Sequence, residues 1–215
     1  RYFSSLIQDF SKSNLVPDAY YALGSTYEDE GRCQEAVDYF EKVIELGESD
    51  LAGQAAIAIA GIYVKQDKLS LAIKTYQDVI NVYPNLTNLI YPKIGDIYYN
   101  MSRYEDALLF YRRSLDIVPV RQMADIQFKI AEVFQAQGRA KEAVEEYLKI
   151  TYLYAQNKDL NVKALLRVAS IYEGEENFKE ALAIYQKIAS MDAEEAKYAR
   201  EKISRLKEVL IEKRR

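Results

Sequence analysis

The residues able to do chemistry in this 215-residue chain are few in kind. Carboxylates gather at Glu28-Asp29-Glu30 and at Glu173, Glu175 and Glu176, and a single thiol stands at Cys33. Paired carboxylates can serve as general acid and base, and a thiol as nucleophile or metal ligand. Each needs a partner that is missing. The sequence contains no histidine, which removes the commonest general base, the usual zinc ligand and the base of a nucleophilic triad. No glycine-rich phosphate loop and no Gly-x-Ser-x-Gly elbow is present. One cysteine can form neither an intramolecular disulfide nor a multi-cysteine metal site. The acidic clusters fall at helix ends and turns, where solvated charge is their ordinary role. Cys33 occupies a packing position at the start of a helix. No catalytic residue, no metal ligand and no cofactor is therefore expected.

Charge excludes further classes. The chain carries 29 Lys and Arg against 33 Asp and Glu, a net charge of −4, with no block of five or six like charges. Basic residues alternate with acids at helical spacing, so no stripe is available to neutralise phosphates and no nucleic-acid partner is expected. No run of about 18 apolar residues exists, so direct membrane insertion is not expected. Residues 194–215 hold eight basic and five acidic residues, read as a solvated helix face.

What organises the chain is repetition. Ala36, Ala72, Ala107, Ala143 and Ala181 recur at intervals of 36, 35, 36 and 38 residues. Upstream of each come an apolar/small pair and an aromatic: Leu23-Gly24 with Tyr27, Ile59-Ala60 with Tyr63, Ile94-Gly95 with Tyr98, Ile130-Ala131 with Phe134, Val168-Ala169 with Tyr172. Four residues downstream stands a second aromatic: Phe40, Tyr76, Tyr111, Tyr147 and Tyr185. A fixed period of this size signals a helical repeat array. Such arrays are extended binding surfaces, which moves the question of function from catalysis to recognition.

Within each unit, apolar residues at helical spacing fall in two runs split by a short polar break, at residues 30–32, 66–68, 101–103, 137–139 and 175–177. Each unit therefore reads as a pair of antiparallel helices. The small residue of the first helix and the alanine of the second permit their close approach. Stop signals are expected between units at Gly47 and Ser49, Tyr83-Pro84-Asn85, Val118-Pro119, Asn157 to Asp159, and Met191-Asp192. Pro92 fits a first turn better than a helix interior, so the third unit's first helix is expected to start near Tyr91, leaving a notch.

These units resemble the tetratricopeptide repeat, a 34-residue helix–turn–helix. Its pattern is a bulky residue at position 4, Leu/Gly types at 7 and 8, Tyr at 11, Ala at 20, an aromatic at 24 and often Pro at 32. In the first unit those positions read Tyr20, Leu23, Gly24, Tyr27, Ala36 and Phe40, and in the third Tyr91, Ile94, Gly95, Tyr98, Ala107, Tyr111 and Pro119. Gln127 and Ala56 depart from the pattern at position 4. The resemblance implies an all-α, right-handed superhelical solenoid of antiparallel helix pairs. Its expected divisions are 1–16, the second helix of a leading repeat whose first helix precedes the sequence; repeats at 17–50, 53–86, 88–121, 124–157 and 162–195; and a terminal capping helix at 196–215.

The resemblance also implies a concave groove lined by first helices. Carried over unit by unit, its apolar track would comprise Tyr21, Ile57, Val64, Tyr99, Phe128 and Leu166, with Pro92 in the third unit. Lys129, Lys163 and Arg167 would form a basic end and Asp18, Glu28 and Asp29 an acidic one. Some members clamp a peptide's terminal carboxylate. Lys163 and Arg167 match part of that clamp, but Pro92 and Asp96 do not, and Asp96 would repel a carboxylate. The implied function is a non-catalytic adaptor or scaffold that holds a peptide or amphipathic helix of a partner protein. The alternatives are a self-assembling structural component and a docking segment of a larger enzyme. The stretches 79–84 and 196–203 resemble bacterial envelope-associated members, which favours the envelope over the cytoplasm as an expected location.

Overall fold

Where apolar residues recur at three and four, the chain is helical. A computed structural model describes residues 2–9, 11–47, 49–191 and 193–213. Among these, every regular element is a helix: α1 Tyr2–Asp9, α2 Val16–Asp29, α3 Cys33–Glu45, α4 Asp50–Lys65, α5 Leu69–Val82, α6 Thr87–Asn100, α7 Tyr104–Leu115, α8 Val120–Ala136, α9 Ala140–Leu153, α10 Lys158–Gly174, α11 Phe178–Ala189 and α12 Ala196–Glu212. A short 3-10 turn, Pro84–Leu86, leads into α6. The chain divides into two compact units, residues 1–101 and 102–215, and the division falls in the turn after α6. Asp192, named above in a stop signal, lies outside the described residues.

In the first unit α2 pairs with α3 and α4 with α5, while α3 also packs on α4, α5 on α6 and α1 on α2. Its core joins Ala36, Val37, Phe40 and Val43 of α3 to Ala55, Ile59 and Ile62 of α4. Gly24 makes this possible, because a Cβ there would stand 2.8 Å from the Phe40 ring. In the second unit α8 pairs with α9 and α10 with α11, and α7, α9 and α11 pack on the helices that follow them. Its core joins Val162, Leu165 and Ala169 of α10, Ala181, Tyr185 and Ile188 of α11, and Ala199 and Leu206 of α12. The last helix thus covers an apolar face that α10 and α11 would otherwise expose. The aromatics four residues after each repeat alanine are all buried.

One local motif closes the hairpins. The residue five before each repeat alanine is left-handed: Gly31 (φ 74°), Asp67 (59°), Ser102 (57°), Gly138 (72°) and Glu176 (57°). At Gly31, Asp67, Gly138 and Glu176 two backbone bonds then satisfy the last carbonyls of the first helix. Around Gly31, the Gly31 amide donates to the Glu28 carbonyl (3.0 Å) and the Arg32 amide to the Tyr27 carbonyl (2.8 Å). The same pair of bonds recurs at 67–68, 138–139 and 176–177. This is the Schellman C-cap. The repeated aromatic of the first helix is the acceptor residue, and in three turns the cation five residues further on lies over its ring: Arg32 on Tyr27 (4.2 Å), Lys68 on Tyr63 (5.9 Å), Arg139 on Phe134 (4.5 Å).

Three boundary expectations are corrected. Ser49 and Asn157 begin helices rather than stop them: Ser49 accepts from the Ala52 amide (3.1 Å) and Asn157 from the Leu160 amide (3.2 Å). Lys158 and Asp159 accordingly form the first turn of α10. Pro92 lies inside α6, which begins at Thr87 rather than near Tyr91. The 3-10 turn at Pro84 feeds the chain directly into α6, so the helix is nucleated before Pro92 is reached. The cost falls on Asn88, whose carbonyl loses its i+4 donor.

Two substitutions check this account by chemical denaturation. Gly24→Ala is expected to lose about 1–3 kcal/mol despite alanine's better helix propensity, because the buried Phe40 ring has nowhere to move. Asp67→Gly is expected to gain roughly 0.5–1 kcal/mol, by relieving a left-handed residue that bears a side chain.

Candidate partner-binding faces

The first unit presents its first helices α2 and α4 side by side. Tyr21, Ile57, Val64 and Tyr99 are all half-buried. Tyr21 sets its ring edge-on to Phe40, with centroids 5.3 Å apart at 63°. Burial, and next the Glu28 charge, push its phenol above the ordinary tyrosine range. Tyr21 is therefore both a lid on the core and part of the face.

The three acids are not equivalent. Lys65 reaches Glu28 at 2.7 Å, so the charge expected there is neutralised. Asp18 and Asp29 remain exposed at the two ends of α2. Tyr76, on α5, was not singled out as a face residue. Its phenol is pushed up to about 12, chiefly by burial and then by the charges of Asp96 and Glu28. Those two carboxylates belong to α6 and α2.

In the second unit α8 and α10 make the corresponding face. Phe128 lies edge-on to Tyr147, at 5.1 Å and 66°, the same arrangement as Tyr21 on Phe40. Leu166 packs on the α10–α12 core. Phe128 and Leu166 share a cavity of about 390 Å³ with Lys163, Arg167 and Ser170. Four of the residues inferred from sequence are thereby brought to one place. Arg167 stands 3.7 Å from Glu132, and Lys129 lies over the Tyr111 ring at 5.7 Å. Lys163 is exposed, with no ion pair among the described residues. Ser170 and Glu132 were missed, although both stand eleven residues before a repeat alanine and their register alone would have placed them.

Buried polar groups show how tightly the face is tied to the core. Tyr147 donates its hydroxyl to Gln135 (2.8 Å). Tyr185 donates to Glu173, which Lys202 of α12 also holds (2.9 Å). Gln127, the departure at position 4, is buried and donates to Glu146 of α9. An amide can take a core position here because its donor is paired. Cys33 packs half-buried against the Phe40 core. Among the described residues no group of three or more acidic or cysteine side chains is placed to hold a metal ion, and no helix is long and apolar enough to cross a membrane.

Paired helices of one period, joined by a recurring C-cap and packed through small residues, define an all-helical repeat array. Comparison with known proteins agrees. Tetratricopeptide repeat models match residues 17–49, 54–86 and 90–119, and a model of the soluble NSF attachment protein matches 115–203. The chain is a tetratricopeptide repeat protein. It is 28% identical over 145 residues to a tetratricopeptide repeat-containing protein of Methanocaldococcus jannaschii, a match covering 62% of this chain and 24% of that protein. It is 24% identical over 143 residues to a human protein O-mannosyl-transferase, covering 66% of this chain and 15% of the relative. The chain thus spans about a quarter or less of the curated relatives it matches. Among solved structures it resembles MamA (TM-score 0.64, 18% identity, 86% of this chain and 97% of that one). It also resembles YrrB, described as having an unusual peptide-binding site (TM-score 0.60, 15% identity, 94% and 98%), and Pseudomonas aeruginosa PilF (TM-score 0.63, 18% identity, 88% of each). At these identities the likeness concerns the fold.

The environment of Tyr76 has a measurable consequence. A phenol favoured in its protonated form stabilises the folded chain below about pH 10, and this is lost as pH rises toward 12. At about 1.4 kcal/mol per pH unit the contribution is roughly 3 kcal/mol. Tyr76→Phe should therefore reduce the alkaline loss of stability between pH 10 and 12, followed by urea denaturation across that range.

Proposed function

We propose that this chain is a non-catalytic adaptor or scaffold that holds a segment of a partner protein against the faces of its first helices. The observation that carries the reading is the Phe128–Leu166 cavity, an apolar floor rimmed by polar and charged side chains. A concave site of that make-up is what a peptide side chain needs. Tyr21 and its half-buried neighbours on α2 and α4 offer a second apolar stretch, flanked by Asp18 and Asp29. The peptide-binding site in the description of YrrB is in keeping with such a use.

The test is capture of partners from the organism that makes the protein, comparing the wild-type chain with a Tyr21→Glu/Phe128→Glu variant whose helicity is checked by circular dichroism. A partner retained by the wild type and reduced at least tenfold by the variant supports the reading. Equal retention moves binding away from these faces. A second reading, self-association, is favoured by Tyr152 and Leu153, which stand 73% and 63% exposed at the end of α9. Sedimentation velocity decides it, since a chain that stays monomeric at tens of micromolar does not self-assemble through that edge.

A further inference from the structure

The second unit holds another cavity, at the edge where its helices turn rather than on a helix face. It measures about 830 Å³ and lies between the start of α10 and the loop that leads from α11 into α12. Ala155, Val162, Met191 and Ala193 supply its apolar wall. Lys158, Asp159 and Lys163 stand on the α10 side, and Glu194 and Glu195 on the α12 side. None of these five charges has an ion pair among the described residues.

Beside this hole stands a knob. Just before Ala155, α9 ends on Tyr152 and Leu153, an adjacent apolar pair that is largely exposed. Leu153 comes ten residues after its repeat alanine, and its counterpart in the next repeat is Met191. Met191 has the cavity wall to join, whereas Leu153 is left in solvent. Lys187 of α11 lies over the Tyr152 ring at 5.7 Å, is exposed, and has no ion pair among the described residues. The knob thus carries a cation, and the α12 side of the hole carries two carboxylates.

We propose that this edge pairs with the same edge of a second copy of the chain, Tyr152 and Leu153 of each copy entering the cavity of the other while Lys187 meets Glu194 and Glu195. The proposal rests on the self-association reading above and names its geometry. A knob and a hole on one surface satisfy each other reciprocally about a twofold axis, an isologous contact that closes at two chains. An aromatic side chain seated in a partner's pocket is the usual anchor of such a contact. Stacking end to end through α12 is opposed by charge. The exposed side of that helix carries Glu201, Arg205 and Glu208, which a stacked copy would desolvate with no apolar gain.

The experiment is sedimentation velocity on the whole chain at tens of micromolar, with wild type, Tyr152→Ser/Leu153→Ser, Lys187→Glu and Glu194→Lys/Glu195→Lys. Circular dichroism checks that each variant folds. The wild type is expected to sediment as a dimer, and the serine variant to associate at least tenfold more weakly. Each charge reversal alone should do the same, because like charges then meet in both halves of the pair. Mixing the two charge-reversed chains in equal amounts should restore the dimer. In one half of that mixed pair the two altered sites face each other, and in the other half the two native ones do. Association indifferent to these substitutions, a mixture that stays monomeric, or species that grow beyond a dimer with concentration would overturn the proposal while leaving self-association standing. A wild type that stays monomeric would overturn both.

Discussion

The structure of each unit depends on how closely the two helices of a pair can approach. Gly24 lies so near the Phe40 ring that even a methyl group would collide with it. That contact sets the separation of α2 and α3, and the buried aromatic then fills the space between one pair and the next. Close packing of this kind is felt by a change of one methylene. The turn must deliver the second helix at the right distance, and the left-handed residue with its two backbone bonds does so. Asp67, Ser102 and Glu176 accept that conformation without being glycine, which shows that the turn geometry outweighs the local preference of the residue.

The repeated alanines and aromatics were legible because they are packing positions, and packing imposes one residue type at one spacing. Helix starts were less legible. Ser49 and Asn157 look like loop residues, and only the bonds to Ala52 and Leu160 reveal them as caps. Pro92 misled because local propensity argued for a new helix, while the preceding 3-10 turn had already set the helical path. Of the candidate site, Phe128, Leu166, Lys163 and Arg167 were legible through repeat register. The pairing of Glu28 with Lys65 was not, since it joins residues 37 apart in sequence. The charges of Asp96 and Glu28 felt by Tyr76 escaped the sequence for the same reason: three helices are involved.

Tyrosine suits this architecture better than phenylalanine or tryptophan. Its ring fills the space between helix pairs, and its hydroxyl reaches polar groups on the first helices, as Tyr147 reaches Gln135 and Tyr185 reaches Glu173. The core thereby acquires polar tips where the second helices meet the first. The second unit extends this to its terminal helix, where Lys202 shares Glu173 with Tyr185. One carboxylate ties α10, α11 and α12 together.

The edge-on seating of Phe128 on Tyr147 has a thermodynamic corollary for recognition. A ring packed edge-on against a buried neighbour loses side-chain freedom on folding, before any ligand arrives. A partner docking there meets a preorganised anchor, and little of its interaction free energy is consumed in ordering the receptor. The same wedge restricts adaptation: a residue that serves core and surface at once cannot be exchanged to suit a new ligand without disturbing the helix pair behind it. Diversification of such a face is therefore channelled to rim positions such as Lys163 and Arg167, which are free of the core.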